Sequence, residues 1–263
     1  MRLNTLTHAP EGAEIHPPLV VAHGLFGSAR NWGGVAKRLA QGRRVVAVDM
    51  RNHGESPWSD EMTYPAMAPD LAEALADAAG PGGEADLLGH SMGGKAAMAC
   101  ALTQSPPLRR LIVADVAPVP YRHSHAGYVA AMQGIDLGAL TRRSEAEALL
   151  APHVPDRSMR AFLLHSLANS PEGLRWRLNL DALADGMAGL VDWPAPDARW
   201  QGPALFLAGG KSGYLTEAHH AGVRALFPAA RFETIPGADH WLHADAPEEF
   251  AAICASFLGA PEA

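Results

Sequence analysis

Five residues, Gly89-His90-Ser91-Met92-Gly93, constrain this chain more than any others. They read G-x-S-x-G, the pattern in which a serine occupies a sharp turn between a strand and a helix. The residues before them, Asp86-Leu87-Leu88, are short and apolar like the end of a buried strand. Those after them, through Leu102, are rich in Ala and Met like a packed helix. A side chain at either flanking position would crowd such a corner, and glycine removes it. The hydroxyl of Ser91 would then stand at a helix N-terminus, where developing negative charge is favoured. A five-residue pattern can arise by chance, so the remainder of the chain must supply its context.

That context is a repeating alternation of strands and helices. Continuous apolar runs at 19–23, 45–49, 86–90, 111–115, 204–208 and 231–235 read as strands buried on both faces. Helical stretches at 31–40, 65–79, 91–102 and 247–258 separate or follow them. The expected fold class is therefore α/β, a mostly parallel sheet with helices on both faces. Residues 118–201 break the rhythm, with no clear strand and four helical pieces at 121–133, 144–151, 157–168 and 174–190. An interruption of roughly 80 residues far exceeds an ordinary crossover. It divides the chain into a core, 1–117 with 202–263, and a helical cap, 118–201, over the C-terminal edge of the sheet, where ligands bind in open α/β folds.

A serine needs a base to attack. Of the 13 histidines, His240 has the most telling place, in the loop Pro236-Gly237-Ala238-Asp239-His240-Trp241 after the last strand. His243, three residues on, is its rival. The acid is harder to place. The loop after the strand at 204–208 reads Gly209-Gly210-Lys211-Ser212-Gly213-Tyr214 and holds no carboxylate. Asp115, at the tip of the strand at 111–115, is the alternative acid that would orient the imidazole. Ser212 would add a hydrogen bond to the same network, and Asp115 could otherwise serve as a cap or loop anchor. Two backbone N–H groups should form an oxyanion hole, Met92 after the serine and a second from His23-Gly24-Leu25-Phe26-Gly27, with Leu25 the first choice and Phe26 the second. The segment Asp49 to Pro57 reads as a tight structural loop, with His53 satisfied by hydrogen bonds. Leu25, Phe26 and Trp241 suggest an apolar acyl pocket.

Composition excludes several classes. A net charge of −7 without a basic cluster argues against nucleic acid. Two cysteines in separate helix-like segments, Cys100 and Cys254, predict buried free thiols and a reducing, cytoplasmic setting. No h-region or membrane-length apolar run is visible. His123 and His125 form an H-x-H pair without further ligands, so no metal is expected.

The segments HGLFGS, DMRNHGES, GHSMGGK, ADVAP, GGKSGY and GADHWLHA together resemble the α/β-hydrolase superfamily, and within it the small bacterial YbfF-type esterases and thioesterases. The resemblance runs from His23 to His243. It implies a cap inserted after the sixth strand and hydrolysis of carboxylic esters, or of acyl-CoA thioesters, as small-molecule substrates and without a cofactor. It also implies an acid on the segment of Asp115 and a serine at Ser212. Cofactor-free perhydrolysis, carbon–carbon bond hydrolysis or lyase chemistry would run on the same site. A ligand-binding receptor is the third reading, and the least favoured because every role in the triad has a residue.

Overall fold

The computed structural model describes residues 1–171 and 173–259. Seven strands form the main sheet: β1 (Thr5–His8), β2 (Leu19–Ala22), β3 (Val45–Val48), β4 (Ala85–His90), β5 (Leu108–Ala114), β8 (Ala204–Gly209) and β9 (Ala230–Ile235). Their order is β1-β3-β2-β4-β5-β8-β9. Strand β1 runs antiparallel to β3, and every other pairing is parallel. Side chains alternate between two cores, as the strand period of two requires. Val20 and Ala22 of β2 face α2 (Tyr64–Ala79) and α3 (Met92–Thr103). Leu19 and Val21 face α1 (Gly33–Leu39) and α10 (Pro247–Gly259), the helix that follows the short α8 (His220–Leu226) and α9 (Leu242–Asp245). Cys100 and Cys254 are buried free thiols, one in each core.

The chain between β5 and β8 builds α4 (Ala126–Gln133), α5 (Arg143–Leu150), α6 (Arg157–Leu164) and α7 (Leu180–Val191). It also builds a hairpin, β6 (Leu167–Ser170) with β7 (Gly173–Trp176), which corrects the expectation of an insertion without strands. Asn169-Ser170-Pro171 turns the chain there, and Gly173 sits at φ +119°, a conformation that side-chain-bearing residues avoid. Helix α7 thus starts at Leu180 rather than 174, behind Asn179, whose side chain accepts the Ala182 N–H. Helix α4 starts at Ala126 rather than 121, because Tyr121 is tied outside it. Its N–H donates to the Val191 carbonyl and its hydroxyl to the Tyr214 carbonyl. The insertion follows the fifth strand in chain order, not the sixth. Residues 9–18 hold three prolines and two glutamates and form no strand, so the sheet edge is the single strand β1. Among the described residues no helix is long and apolar enough to cross a membrane.

The last helix of the insertion is fastened to the core at both ends. At its start, Asn179 N–H donates to the Asn52 carbonyl (3.0 Å) and Gly54 N–H to the Arg177 carbonyl (2.8 Å). At its end, the Tyr64 hydroxyl donates to the Leu190 carbonyl (2.6 Å), and Lys95 donates to the carbonyls of Val191 (3.1 Å) and Asp192 (2.7 Å). The loop that receives Asn179 is braced from below by two buried histidines. His23 donates through Nδ1 to the Gly24 carbonyl and accepts the Met50 N–H at Nε2. His53 donates through Nδ1 to the Arg51 carbonyl and accepts the Phe26 N–H at Nε2.

The base of the strand that carries Ser91 is pinned by a buried charge. Asp86 is fully buried in β4 and accepts from Arg43 (2.8 Å) and Arg109 (2.6 Å), and both arginines also donate to the Leu258 carbonyl of α10. Breaking one side of a buried ion pair leaves a desolvated charge, at a cost of about 3–5 kcal/mol. Asp86→Ala should lower the unfolding free energy by about that much in urea titrations, and a loss below ~1 kcal/mol would show that the arginines find other partners. A second prediction concerns pH. Burial, and then the neighbouring His23, hold His53 down to about 3, so the unfolded chain takes up this proton first as pH falls. Its contribution to stability is complete above about pH 6.5 and is lost as pH falls toward 3, at up to ~1.4 kcal/mol per pH unit. Urea titrations from pH 7 to 5 should show a shallower loss in His53→Gln than in the parent.

Candidate active site

The strand–turn–helix corner at Ser91 exists because two glycines let backbones touch. A Cβ on Gly89 would lie 2.3 Å from the Gly93 carbonyl oxygen, and one on Gly93 would lie 2.5 Å from the carbonyl oxygens of Ala22 and His23. Ser91 itself adopts φ 53°, ψ −118°, the conformation of the first central residue of a type II′ turn, a place that ordinarily takes glycine. The strain lifts its hydroxyl over the C-terminal edge of the sheet, at the N-terminus of α3.

Three loops deliver partners to it. His240 Nε2 lies 3.0 Å from Ser91 Oγ, and His240 Nδ1 lies 2.7 Å from Asp115 Oδ2. With Nδ1–H donating to the carboxylate, Nε2 is left as the acceptor for the serine hydroxyl. Asp115 is fully buried and, like Ser91, left-handed, at φ 50°. Its Oδ2 also accepts from the Ser212 hydroxyl (2.5 Å), and its Oδ1 accepts from the Gly209 N–H (3.0 Å). Glu217, the next carboxylate along, is exposed in a short 3-10 turn. His90 donates through Nε2 to the main-chain carbonyl of His240 (2.9 Å), and the Tyr214 ring stacks on the His240 ring at 4.1 Å. Burial keeps the His90 imidazole well below the usual range, so this donor is neutral.

His243 is in a different place from the one its rivalry with His240 requires. Its ring stacks on Trp32 at 4.3 Å and touches Phe250, and among the described residues it makes no hydrogen bond to Ser91. Burial and the neighbouring His240 push it down to about 4. The Phe26 N–H is similarly spent, since it donates to His53 Nε2 at 3.2 Å. The N–H groups of Leu25 and Met92 donate to no acceptor among the described residues.

Two compartments meet at Ser91, Leu25 and His125. The first, of about 550 Å³, is lined by Phe26, Trp32, Met159, Phe162 and Trp241 beside the serine and is chiefly apolar. Trp241, next to His240, packs on Phe162 of α6 at 5.1 Å. The second, of about 380 Å³, is lined by Met92, Lys95, Tyr121, His123, Val191 and Tyr214 among others. Sequence reasoning passed over Lys95, Tyr214 and Phe162. Only Lys95 carried a readable signal, lying one helical turn from Ser91 on the same face. Among the described residues no group of three or more His, Cys, Asp or Glu is placed to hold a metal ion.

Comparison with known proteins places this geometry in a family. Residues 19–253 match the model of the alpha/beta hydrolase family. The chain is 40% identical over 256 residues to the mouse sn-1-specific diacylglycerol lipase ABHD11, covering 94% of this chain and 83% of that protein. It is 38% identical over 249 residues to the esterase YbfF of Escherichia coli K12, covering 94% of this chain and 95% of that one. Among solved structures, a marine microorganism esterase superposes with a TM-score of 0.89 at 34% identity, covering 97% of this chain and 99% of that one. The fold, the family model and these relatives agree that the chain belongs to the alpha/beta hydrolase family.

Proposed function

We propose that this chain is a carboxylic ester hydrolase working through a Ser91–His240–Asp115 triad and an acyl-enzyme, in a reducing, cytoplasmic setting. The observation that carries the reading is the continuous row from Ser91 Oγ to His240 (3.0 Å) and from His240 to Asp115 (2.7 Å) at the mouth of an apolar cleft. Esterase and lipase names among relatives at 38–40% identity point the same way.

In this mechanism His240 Nε2 takes the Ser91 proton as Oγ attacks the ester carbonyl. The new oxyanion is held by the Leu25 and Met92 N–H groups, the second aided by the positive end of α3. Asp115 keeps His240 in the Nδ1–H tautomer and stabilises the imidazolium, while Ser212 and Gly209 hold the carboxylate in place. His240 then gives its proton to the departing alkoxide, leaving the acyl group on Ser91. A water activated by His240 releases the acid and restores the serine. The acyl chain lies in the compartment of Phe26, Phe162 and Trp241, with residues 118–201 acting as the cap over it. Acyl transfer from a thiol would follow the same steps, and thioesters are the second substrate class for the same cleft.

Ser91→Ala should abolish turnover of p-nitrophenyl butyrate and labelling by a fluorophosphonate while thermal unfolding stays cooperative. Asp115→Asn, which presents the wrong tautomer to the serine, should lower kcat by about 10⁴. A rate within tenfold of the parent for Asp115→Asn would remove the acid from this scheme.

A further inference from the structure

The compartment on the far side of Ser91 from the acyl cleft has a feature the hydrolytic steps do not use. Lys95 is 1% exposed and lines it, one turn along α3 from the serine. An ammonium carries three donors. Two are taken by the carbonyls of Val191 and Asp192 at the end of α7, and among the described residues no third oxygen or nitrogen accepts from it. No carboxylate of the described residues lies within ion-pair distance of it, although Asp192, whose main-chain carbonyl it holds, favours its charge from further off. The Tyr121 ring lies 4.6 Å and the Tyr64 ring 5.8 Å from Nζ. Of the wall's other polar groups, the His125 ring stacks on Tyr128 and is lowered by burial to about 4, so it carries no charge at neutral pH. The Tyr64 and Tyr121 hydroxyls donate to carbonyls, and the Tyr214 hydroxyl pairs with His123 at 2.6 Å.

A buried cation held by two carbonyls and ring faces, with its nearest carboxylate beyond ion-pair distance, keeps one donor unused and is incompletely compensated. Burial lowers it to about 8, so it remains charged at neutral pH. A clamp for α7 alone would be served by a neutral donor. A charge in a cavity that shares Ser91 with the acyl cleft favours a ligand of opposite sign there. Arg109, Arg110 and Arg43 lie at the opposite, N-terminal end of the sheet around Leu258 and reach neither compartment.

We infer that the Lys95 compartment is a subsite for the leaving group, and that it selects alcohols or thiols carrying an anionic oxygen group, a carboxylate or a phosphate. The inference rests on the ester-hydrolase reading above, which puts the acyl chain in the apolar compartment and sends the leaving group to this one. The attacked carbonyl then sits at Ser91 between the two, with the negative group of the leaving portion at the third donor of Lys95.

The test reads binding apart from turnover. The chain has three lysines, Lys37, Lys95 and Lys211, so side-chain lysine NMR of the full protein resolves each. Three model leaving groups of similar shape are titrated: 4-hydroxybenzoate, 4-hydroxyphenyl phosphate and neutral 4-hydroxybenzamide. The Lys95 signal should move with one or both anions, which also tells carboxylate from phosphate, and stay in place with the amide. The preferred anion should bind at least tenfold more tightly than the amide. In Lys95→Met that ratio should collapse to near one, and so should the kcat/KM preference for the butyrate ester of the anion over that of the amide. A Lys95 signal that ignores both anions, equal binding of anion and amide, or a preference that survives in Lys95→Met overturns the inference. If Lys95→Met does not fold, the titration of the parent protein decides by itself. Failure of the parent to hydrolyse p-nitrophenyl butyrate would instead count against the hydrolase reading, and leaves the binding titration to be read as it stands.

Discussion

Everything at this site depends on burying one carboxylate. Asp115 has no exposed surface, and a bare carboxylate in such a place would be expensive. The fold meets that cost with three donors from two loops: His240 after β9, and Ser212 and the Gly209 N–H at the end of β8. Each bond that satisfies the charge also fixes a neighbour. His240 is held in one tautomer, the turn at Ser212 is closed, and the two strand ends are drawn together. The backbone contact beneath them is just as tight, since a Cβ on Gly209 would lie 2.4 Å from the Asp239 carbonyl oxygen. Orientation of the His240 ring is therefore a consequence of desolvating Asp115, and neither loop can shift without leaving that charge less satisfied.

The same edge of the sheet concentrates backbone strain. Among the described residues five non-glycine positions have positive φ, and Phe26, Asn52, Ser91 and Asp115 are four of them. They follow β2, β3, β4 and β5 in turn. A parallel sheet sends all its strands out at one edge, so each chain must turn sharply there to return along a helix. Residues that project into the shared space end up in sparsely populated conformations. Such positions persist only where surrounding bonds over-determine them. The Phe26 N–H on His53, the Asn52 carbonyl on Asn179 and the Ser91 N–H on the Ala114 carbonyl do this here.

The insertion joins that edge through α7, and the two anchors differ in kind. At the start of α7 the contacts are backbone and amide hydrogen bonds to Asn52 and Gly54. At its end they use a charge, Lys95 on the carbonyls that no helical N–H reaches, which is the favourable end of the helix dipole for a cation. Helix α3 therefore carries the serine at its start and holds the insertion one turn later. The apolar compartment opens on the other side, where Met159 and Phe162 of α6 face Trp241. One element thus sets both the place of the Ser91 hydroxyl and the wall beside it.

The alternation of apolar strands with helices, the interruption after residue 117 and the Gly89–Gly93 corner were all legible in the sequence, because they depend on local periodicity and on glycine at positions of close approach. The absence of a carboxylate after β8 likewise directed attention to Asp115. Local pattern favours His240 over His243, three residues on, by its loop context alone. Packing supplies the physical separation, by stacking the second on Trp32 and leaving the first over Ser91. Local pattern also ranks the Leu25 N–H ahead of that of Phe26, but not for the reason the structure gives, which is that the latter is consumed by a histidine 27 residues away. The β6–β7 hairpin was read as helix because its short strands alternate too briefly to announce themselves. Lys95 lay unremarked on an Ala-rich helix, and its burial depends on α7 and Tyr121 arriving from 97 and 26 positions further along. Sequence determined which chemical groups the chain possesses and the order in which the sheet presents them. The tertiary structure decided which of them meet, because those choices turn on burial and on donors from distant loops.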